Sequence, residues 1–458
     1  MLEERSKNMR LSYKKVAIGM ILVGLVTWTM EGCSKVRTNS ANLIHSKSCN
    51  LQNHTQIKDL EIWWWGNQTR NKITQQVLKM YSQKHSEVDF SVQFSVWSDY
   101  WNKLSASAAG HTLPDIVQMD YRYLSQYVEH DLLVDLTPYI ESGMLKCNDL
   151  REEIKETGKI NDKTYAVVCG VNAPALLYNK TLLEENNIAI HDYMSLEEFI
   201  QIARMVYEKT GYKTNIAYSN EELVSEYMLR DEGYVFYGQE GNTIRSAKDI
   251  EPFFSLYEQG RKEGWLIETR VFADRTIGSI EQDPLVYGTT PDTLSWCSFV
   301  YSNQSVAYQD AAPSDVEIGI TTCPANHPEK ANFLKPSTFW AITTDCDNIE
   351  AAVNVINYML NDVECNSILL GERGIPASVS VSEAISSNLG YVDQKVVDYI
   401  NNVIIPKSSK LNPPPVKNND VVIGEIKCLI QEVSNGMTTT EQAANKLYET
   451  VKKLYLEE

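Results

Sequence analysis

The 458-residue chain is short of positive charge: 42 lysines and arginines stand against 60 aspartates and glutamates, a formal charge of −18. So acidic a body lacks the net basic surface that displaces counterions from nucleic acid, and it has no electrostatic attraction to anionic lipid. Glycine (22) and proline (15) are too few for a collagen-like or low-complexity chain. The nine cysteines are scattered without paired short spacings, and the seven histidines show no metal-ligand spacing. That excludes a disulfide-dense scaffold and a zinc site, and neither metal nor cofactor is expected. Gly-x-Ser-x-Gly elbows, His-Glu-x-x-His helices and phosphate-binding glycine loops are all missing. So is any uncharged apolar run of the ~20 residues that a membrane-spanning helix needs.

What the N-terminus has instead is a shorter run. Arg5, Lys7, Arg10, Lys14 and Lys15 precede fifteen uncharged residues, Val16 to Met30, the pattern of a secretory leader. It ends in Met30-Glu31-Gly32-Cys33-Ser34, which resembles a bacterial lipobox, although Met30 and Glu31 depart from the usual Leu-then-small pattern. Residues 1–32 are therefore expected to be a signal peptide, and Cys33 the lipidated first residue of the mature chain. Cleavage there removes five basic and three acidic residues and takes the charge to −20. Residues 33–58 are polar, with few bulky apolar side chains, and read as a solvated tether. For the eight cysteines left after Cys33, one disulfide and buried free thiols are equally compatible with the spacing.

The abundant side chains are aromatic: 9 Trp, 25 Tyr and 10 Phe, with Trp63, Trp64, Trp65, Trp97 and Trp101 close together in the chain. The length points to two or three domains, and the body opens with an α/β pattern. Leu60–Trp65 is a short apolar run ending at the Gly66-Asn67 turn, and Ile73, Val77, Met80 and Tyr81 recur at helical spacing. Val88 to Val96 alternates apolar with polar, Tyr100 to Ala109 is helical in character, and Asp115 to Met119 is a third strand candidate. Such alternation predicts right-handed crossovers and a mainly parallel sheet, whose ligands bind beyond the carboxyl ends of the strands. The residues at those ends are Trp65 and Asn67, Trp97 and Asp99, and Asp120 and Tyr121. Aromatic rings cover the apolar C–H faces of sugars, and Asp and Asn match their hydroxyls, so a carbohydrate cleft suits this set. Alternation along the first strand makes Trp64 the structural residue and Trp65 the one at the mouth; Trp101 is expected in a helix core.

Several ordered motifs then carry a resemblance. Ile62-Trp63-Trp64-Trp65-Gly66-Asn67 with Arg70, Leu113 to Tyr121, Asp131-Leu132-Leu133-Val134-Asp135-Leu136-Thr137, Ala173 to Lys180, Leu334-Lys335-Pro336-Ser337 and Glu372-Arg373-Gly374-Ile375-Pro376 together resemble bacterial extracellular solute-binding proteins, family 1, the sugar-binding lipoproteins of ABC importers. Asp131 stands where that family usually has Gly. The resemblance runs from Ile57 to the C-terminus. It implies an α/β, two-lobed, periplasmic-binding-protein-like fold of type II, with a hinge crossed about three times, near Ala166–Pro174, Gly319–Pro324 and Gly371–Pro376. Lobe one is then 59–168 plus 320–372, and lobe two is 172–316 plus 376–458. It also implies a non-enzymatic monomer, lipid-anchored on the extracytoplasmic face of the cell membrane, whose partners are a carbohydrate ligand and the permease subunits. Trp296 and Asn303 occupy places where the family carries a stacking aromatic and a polar partner; Asn172, in the first crossing, and Trp340, just after Pro336-Ser337, are further ligand candidates, and Arg373 beside the third crossing either binds ligand or ties the lobes electrostatically.

Helical stripes support the pieces: Ala351, Ala352, Val355, Ile356, Met359 and Leu360; Ile423, Ile426, Ile430 and Val433; and a last helix opened by Thr438-Thr439-Thr440-Glu441 read as a capping box. The competing classes are a secreted carbohydrate-active enzyme, with Asp99 and Asp120 as its carboxylate pair, and a surface glycan-binding adhesin.

Overall fold

Strand–helix alternation governs the first lobe. The computed structural model describes residues 58–216, 220–236, 243–413 and 419–455. The leader, Cys33 and the tether up to residue 57 lie outside the described residues, and the body forms one unit. β1 (Lys58–Trp65), α1 (Gln68–Lys84), β2 (Val88–Ser95), α2 (Trp97–Gly110), β3 (Ile116–Met119) and α3 (Tyr121–Glu129) follow one another. β1 pairs in parallel with β2 on one side and β3 on the other. Leu60, Ile62 and Trp64 on one face and Trp63 and Trp65 on the other are all buried, as suits a strand covered on both faces. β2 is the sheet edge and exposes Asp89, Ser91 and Gln93, the polar half of its alternation.

The chain continues through β4 (Ala166–Val168), β5 (Gly170–Asn172) and β6 (Pro174–Asn179) into a second lobe containing α4 (Leu196–Thr210), α5 (Glu221–Glu232), α6 (Glu251–Glu263), β7 (Cys297–Tyr301) and β8 (Ile318–Thr321). It returns by β9 (Lys335–Pro336) to β10 (Phe339–Ile342) and α7 (Ile349–Asn361), then leaves again at β11 (Ile375–Pro376). α8 (Asn419–Ser434) and α9 (Thr440–Tyr455) complete the second lobe. The sheet of lobe one has the order β2-β1-β3-β10-β4, with β10 antiparallel to both neighbours; that of lobe two is β8-β6-β7, wholly antiparallel. Between them lies a small hinge sheet, β9-β5-β11.

Each lobe has its own core. Leu60, Trp64, Ile116, Met119, Phe339 and the α7 stripe (Ala351, Ala352, Val355, Ile356, Met359, Leu360) belong to the first. Phe199, Tyr227, Trp265, Phe333, Ile426, Val433 and Leu447 belong to the second. α4 begins at a full capping box between Ser195 and Glu198. The box before α9 is built one position later than its sequence suggests: Gln442 N–H donates to Thr439 Oγ1 at 3.2 Å, and Thr439 N–H donates to the Gln442 side chain. Among the described residues no helix is long and apolar enough to cross a membrane, and Cys147, Cys169, Cys297, Cys323, Cys346, Cys365 and Cys428 are free thiols.

Two lobe boundaries differ from those expected. Residues 318–321 are a lobe-two strand, and Cys323, Ala331 and Phe333 stay in the second core. The second crossing is therefore β9 at Lys335–Pro336, not Gly319–Pro324, because it is at β9 that the returning chain pairs with the hinge strand β5. After the third crossing the chain does not pass directly to lobe two. Ser378 bridges Leu150, Asp149 accepts from Ser380 N–H at 2.9 Å, and Val381 and Ile385 fill the first core.

The hinge is sterically tight. A Cβ on Gly170 would stand 2.4 Å from the Arg373 carbonyl oxygen and 2.8 Å from that of Ile375, backbone atoms that cannot yield without separating β5 from β11. Gly170→Ala is expected to lower the unfolding free energy by about 1–3 kcal/mol, the usual cost of overpacking. Urea denaturation measures it, and an unchanged midpoint would show that the hinge strands are free to part.

Candidate ligand-binding cleft

A cavity of about 380 Å³ opens between the lobes, within the range of small-ligand sites. Lobe one contributes Trp97 from the start of α2, and Asp120, Tyr121 and Arg122 from the start of α3, the helices that follow β2 and β3. Lobe two contributes Glu222, Glu226 and Leu229 from α5, Tyr301 from the end of β7, Phe333, and Leu411, Asn412 and Pro413; the hinge strand β9 adds Lys335. Apolar and aromatic surface alternates with both signs of charge.

The lobe-one wall rests on an aromatic nest. Trp97, 39% exposed, is its outer ring. It meets Trp65 edge-on at 5.0 Å and Trp101 at 5.4 Å, and Trp101 lies 4.2 Å from Tyr123. Offset and edge contacts of this kind are the favoured aromatic geometries, and they hold the Trp97 ring while leaving it open to the cleft. Trp65 is only 9% exposed and stands behind Trp97. Trp64 is fully buried, its indole N–H given to Asn71 at 2.8 Å.

Asp120 caps α3, its carboxylate accepting the Arg122 N–H at 2.9 Å. Tyr121 donates its hydroxyl to the carbonyl of Asn412 in lobe two at 3.1 Å, and burial pushes its ionisation upward. Arg122 reaches Glu222 across the cleft at 3.3 Å. Glu226 faces the cavity one turn beyond Glu222; burial raises its pKa against the opposing pull of Arg230 and Lys335. The Lys335 ammonium lies 4.4 Å above the Tyr301 ring, a cation–π contact.

Of the residues singled out from sequence, Trp97, Asp120 and Tyr121 line this cavity. Asn67 is an exposed cap of α1, accepting from Arg70 N–H at 2.8 Å. Asp99 is exposed in the first turn of α2, and Asn303 is exposed in the turn after β7. Trp296 and Trp340 are core residues. Trp296 is fully buried beside Phe199, its indole N–H donated to Thr214 Oγ1 at 2.8 Å. Trp340 is sealed in the middle of the first sheet, with the Arg373 guanidinium 5.1 Å above its ring. Arg373 is itself buried and donates to Thr74 Oγ1 at 3.0 Å. Burial, with Arg70 nearby, pushes its pKa down to about 10. Asn172 is buried in β5, its Oδ1 without a partner among the described residues.

The sequence reading missed Arg122, Glu222, Glu226, Tyr301, Lys335 and Asn412. Lys335 lies in one of the quoted motifs, whereas Tyr301 ends a strand of an antiparallel sheet, to which the strand-end rule for parallel sheets does not apply. Glu222, Glu226 and Leu229 share one face of α5, spacing that shows in sequence only once the helix is placed.

Most of the chain resembles known proteins. A family model described as bacterial extracellular solute-binding protein matches residues 76–386. The lactose-binding protein of Rhizobium radiobacter is 23% identical over 351 residues, 74% of this chain and 78% of that one. An extracellular solute-binding protein family 1 structure from Alicyclobacillus acidocaldarius superposes with a TM-score of 0.73 at 20% identity, covering 87% of this chain and 98% of that chain. A periplasmic oligogalacturonide binding protein from Yersinia enterocolitica, in complex with saturated digalacturonic acid, gives 0.69 at 18% identity over 86% and 98%.

The start of α5 also holds a buried titrating group, Glu221. Burial raises Glu221 from 4.5 to about 7, outweighing Lys427, whose Nζ is 3.8 Å away. Between those pH values the folded chain holds a proton that the unfolded chain has released. The stability this gives is complete below about pH 4.5 and is lost as pH climbs through 7. Relative to Glu221→Gln, the native chain is expected to lose roughly 1–3 kcal/mol over that interval. Urea denaturation at both pH values measures the difference, and parallel behaviour of the two proteins would remove Glu221 from the account.

Proposed function

The chain belongs to the bacterial extracellular solute-binding proteins, and from that premise we propose that it is the binding component of an ABC importer, capturing a carbohydrate between its lobes and delivering it to the permease. An oligosaccharide is the favoured ligand. The observation that carries this reading is the Trp97 ring, held open on an aromatic nest and facing hydrogen-bonding groups of the opposite lobe. Trp97 supplies the stacking face; Asp120, Glu222, Glu226, Arg122 and Lys335 supply donors and acceptors for hydroxyls. Trp65 supports the stack from behind. The curated relative named for lactose and the neighbour solved with digalacturonic acid agree with a sugar ligand.

Lipid on Cys33 would hold the protein at the extracytoplasmic face of the membrane. The acidic body would then stay close to its permease without electrostatic adhesion to lipid. Asp120 is engaged in capping α3, which favours binding over general acid–base work.

A thermal-shift screen of lactose, neutral oligosaccharides and digalacturonate is expected to raise the melting temperature with at least one sugar and to leave that sugar intact. Cleaved product would overturn the binding role, and absence of any shift would overturn the sugar. With the responding sugar, Trp97→Ala is expected to weaken binding by about 1–3 kcal/mol in calorimetry, the range for a lost stacking aromatic; unchanged affinity would move the ligand away from this wall.

A further inference from the structure

We propose that Asn412 is the node of a latch that ties the two lobes directly, and that Arg230 is the positioning residue that sets it. Three groups converge on Asn412. Its backbone carbonyl accepts the Tyr121 hydroxyl from lobe one at 3.1 Å. Its side-chain Nδ2 donates to Glu226 Oε1 at 2.8 Å, and its Oδ1 accepts from Arg230 Nη1. The amide has one orientation that serves both neighbours, since a guanidinium only donates and a carboxylate only accepts.

Arg230 is buried on α5 and spends its guanidinium on the segment that carries Asn412. Nη2 donates to Ser409 Oγ at 2.6 Å and to the Lys410 carbonyl at 2.9 Å, while Nε donates to the Ala331 carbonyl at 3.2 Å. The Phe333 ring packs 4.6 Å from the guanidinium carbon. Residues 409–412 are thus strapped to lobe two, and the strap presents a carbonyl to the opposite lobe. The Arg122–Glu222 pair makes a second, partly exposed tie across the same gap, of the kind that contributes little by itself. The latch thus places Glu226, a cavity acid, in the same network that touches lobe one. Its meaning for uptake rests on the ligand reading of this cleft; its test needs no sugar.

Hydrogen exchange read by mass spectrometry on the full chain in detergent, with no sugar added, tests it. Tyr121→Phe removes one hydroxyl that fills neither core. It is expected to speed exchange in peptides spanning 409–413, on the other lobe, by about fivefold, the factor that about 1 kcal/mol represents. Asn412→Ala is expected to do the reverse, speeding exchange around residues 119–124 of lobe one, while peptides of α7 stay unchanged in both. Arg230→Lys should match Asn412→Ala if it folds, and the other two variants decide the matter if it does not. Effects confined to the mutated lobe, or none, would overturn the latch and leave the carbohydrate reading standing; a failed sugar screen would leave the latch standing.

Discussion

Everything in this molecule is arranged around a hinge in which three short strands pass within hydrogen-bonding distance of one another. β5, β9 and β11 have two or three residues each, and they are held by bonds such as Ser337 N–H to the Gly170 carbonyl at 2.8 Å and Ala377 N–H to the Cys169 carbonyl at 3.1 Å. Close approach is possible because Gly170 and Gly374 have no side chain. Gly374 has a φ of +84°, where an L side chain is strained, and a Cβ there would stand 2.9 Å from the Val171 carbonyl. So few ladder bonds let a few backbone dihedrals absorb relative motion of the lobes, as hinges require.

The hinge is not symmetric. Arg373 precedes β11 and is pinned to lobe one by Thr74 and by the face of Trp340. Arg70, also of lobe one, donates to the Glu372 carbonyl at 2.8 Å and pairs with its carboxylate at 3.2 Å. Residues 377–385 then continue along lobe one before the chain leaves it. The third crossing is therefore fastened to lobe one rather than shared evenly between the lobes. That asymmetry accounts for the long excursion back to lobe two, with α8 and α9 arriving last in its core.

What the sequence disclosed and what it concealed follow from the same geometry. Lobe one opens with three mutually parallel strands joined by helices, so the positions just past β2 and β3 are a cleft wall by topology; Trp97, Asp120 and Tyr121 were legible for that reason. Trp65 is at a strand end too, but its ring turns into the nest of Trp97, Tyr100 and Trp101. Lobe two has an antiparallel sheet, and its wall comes from a helix face and a distant segment near Asn412, which only tertiary structure brings together. Trp296 and Trp340 carried the chemistry of a binding aromatic without the position of one. Each is sealed by neighbours, and Trp296 also gives its indole N–H to a buried partner.

A two-lobed binder works only if the closed state gains contacts that the open state lacks. Direct protein–protein ties across the cleft make closure easier but also make it indifferent to ligand, so their strength has to be small. The contacts seen here fit that limit. One is a single neutral hydrogen bond from Tyr121, and the other is an ion pair whose side chains are each more than a third exposed, where solvent screening removes most of its value. The stronger interactions around Arg230 stay within lobe two, where they shape the wall and set the Asn412 carbonyl that Tyr121 reaches. A ligand that stacks on Trp97 while reaching Glu226 would add contacts to both walls at once, and on that difference the equilibrium would turn.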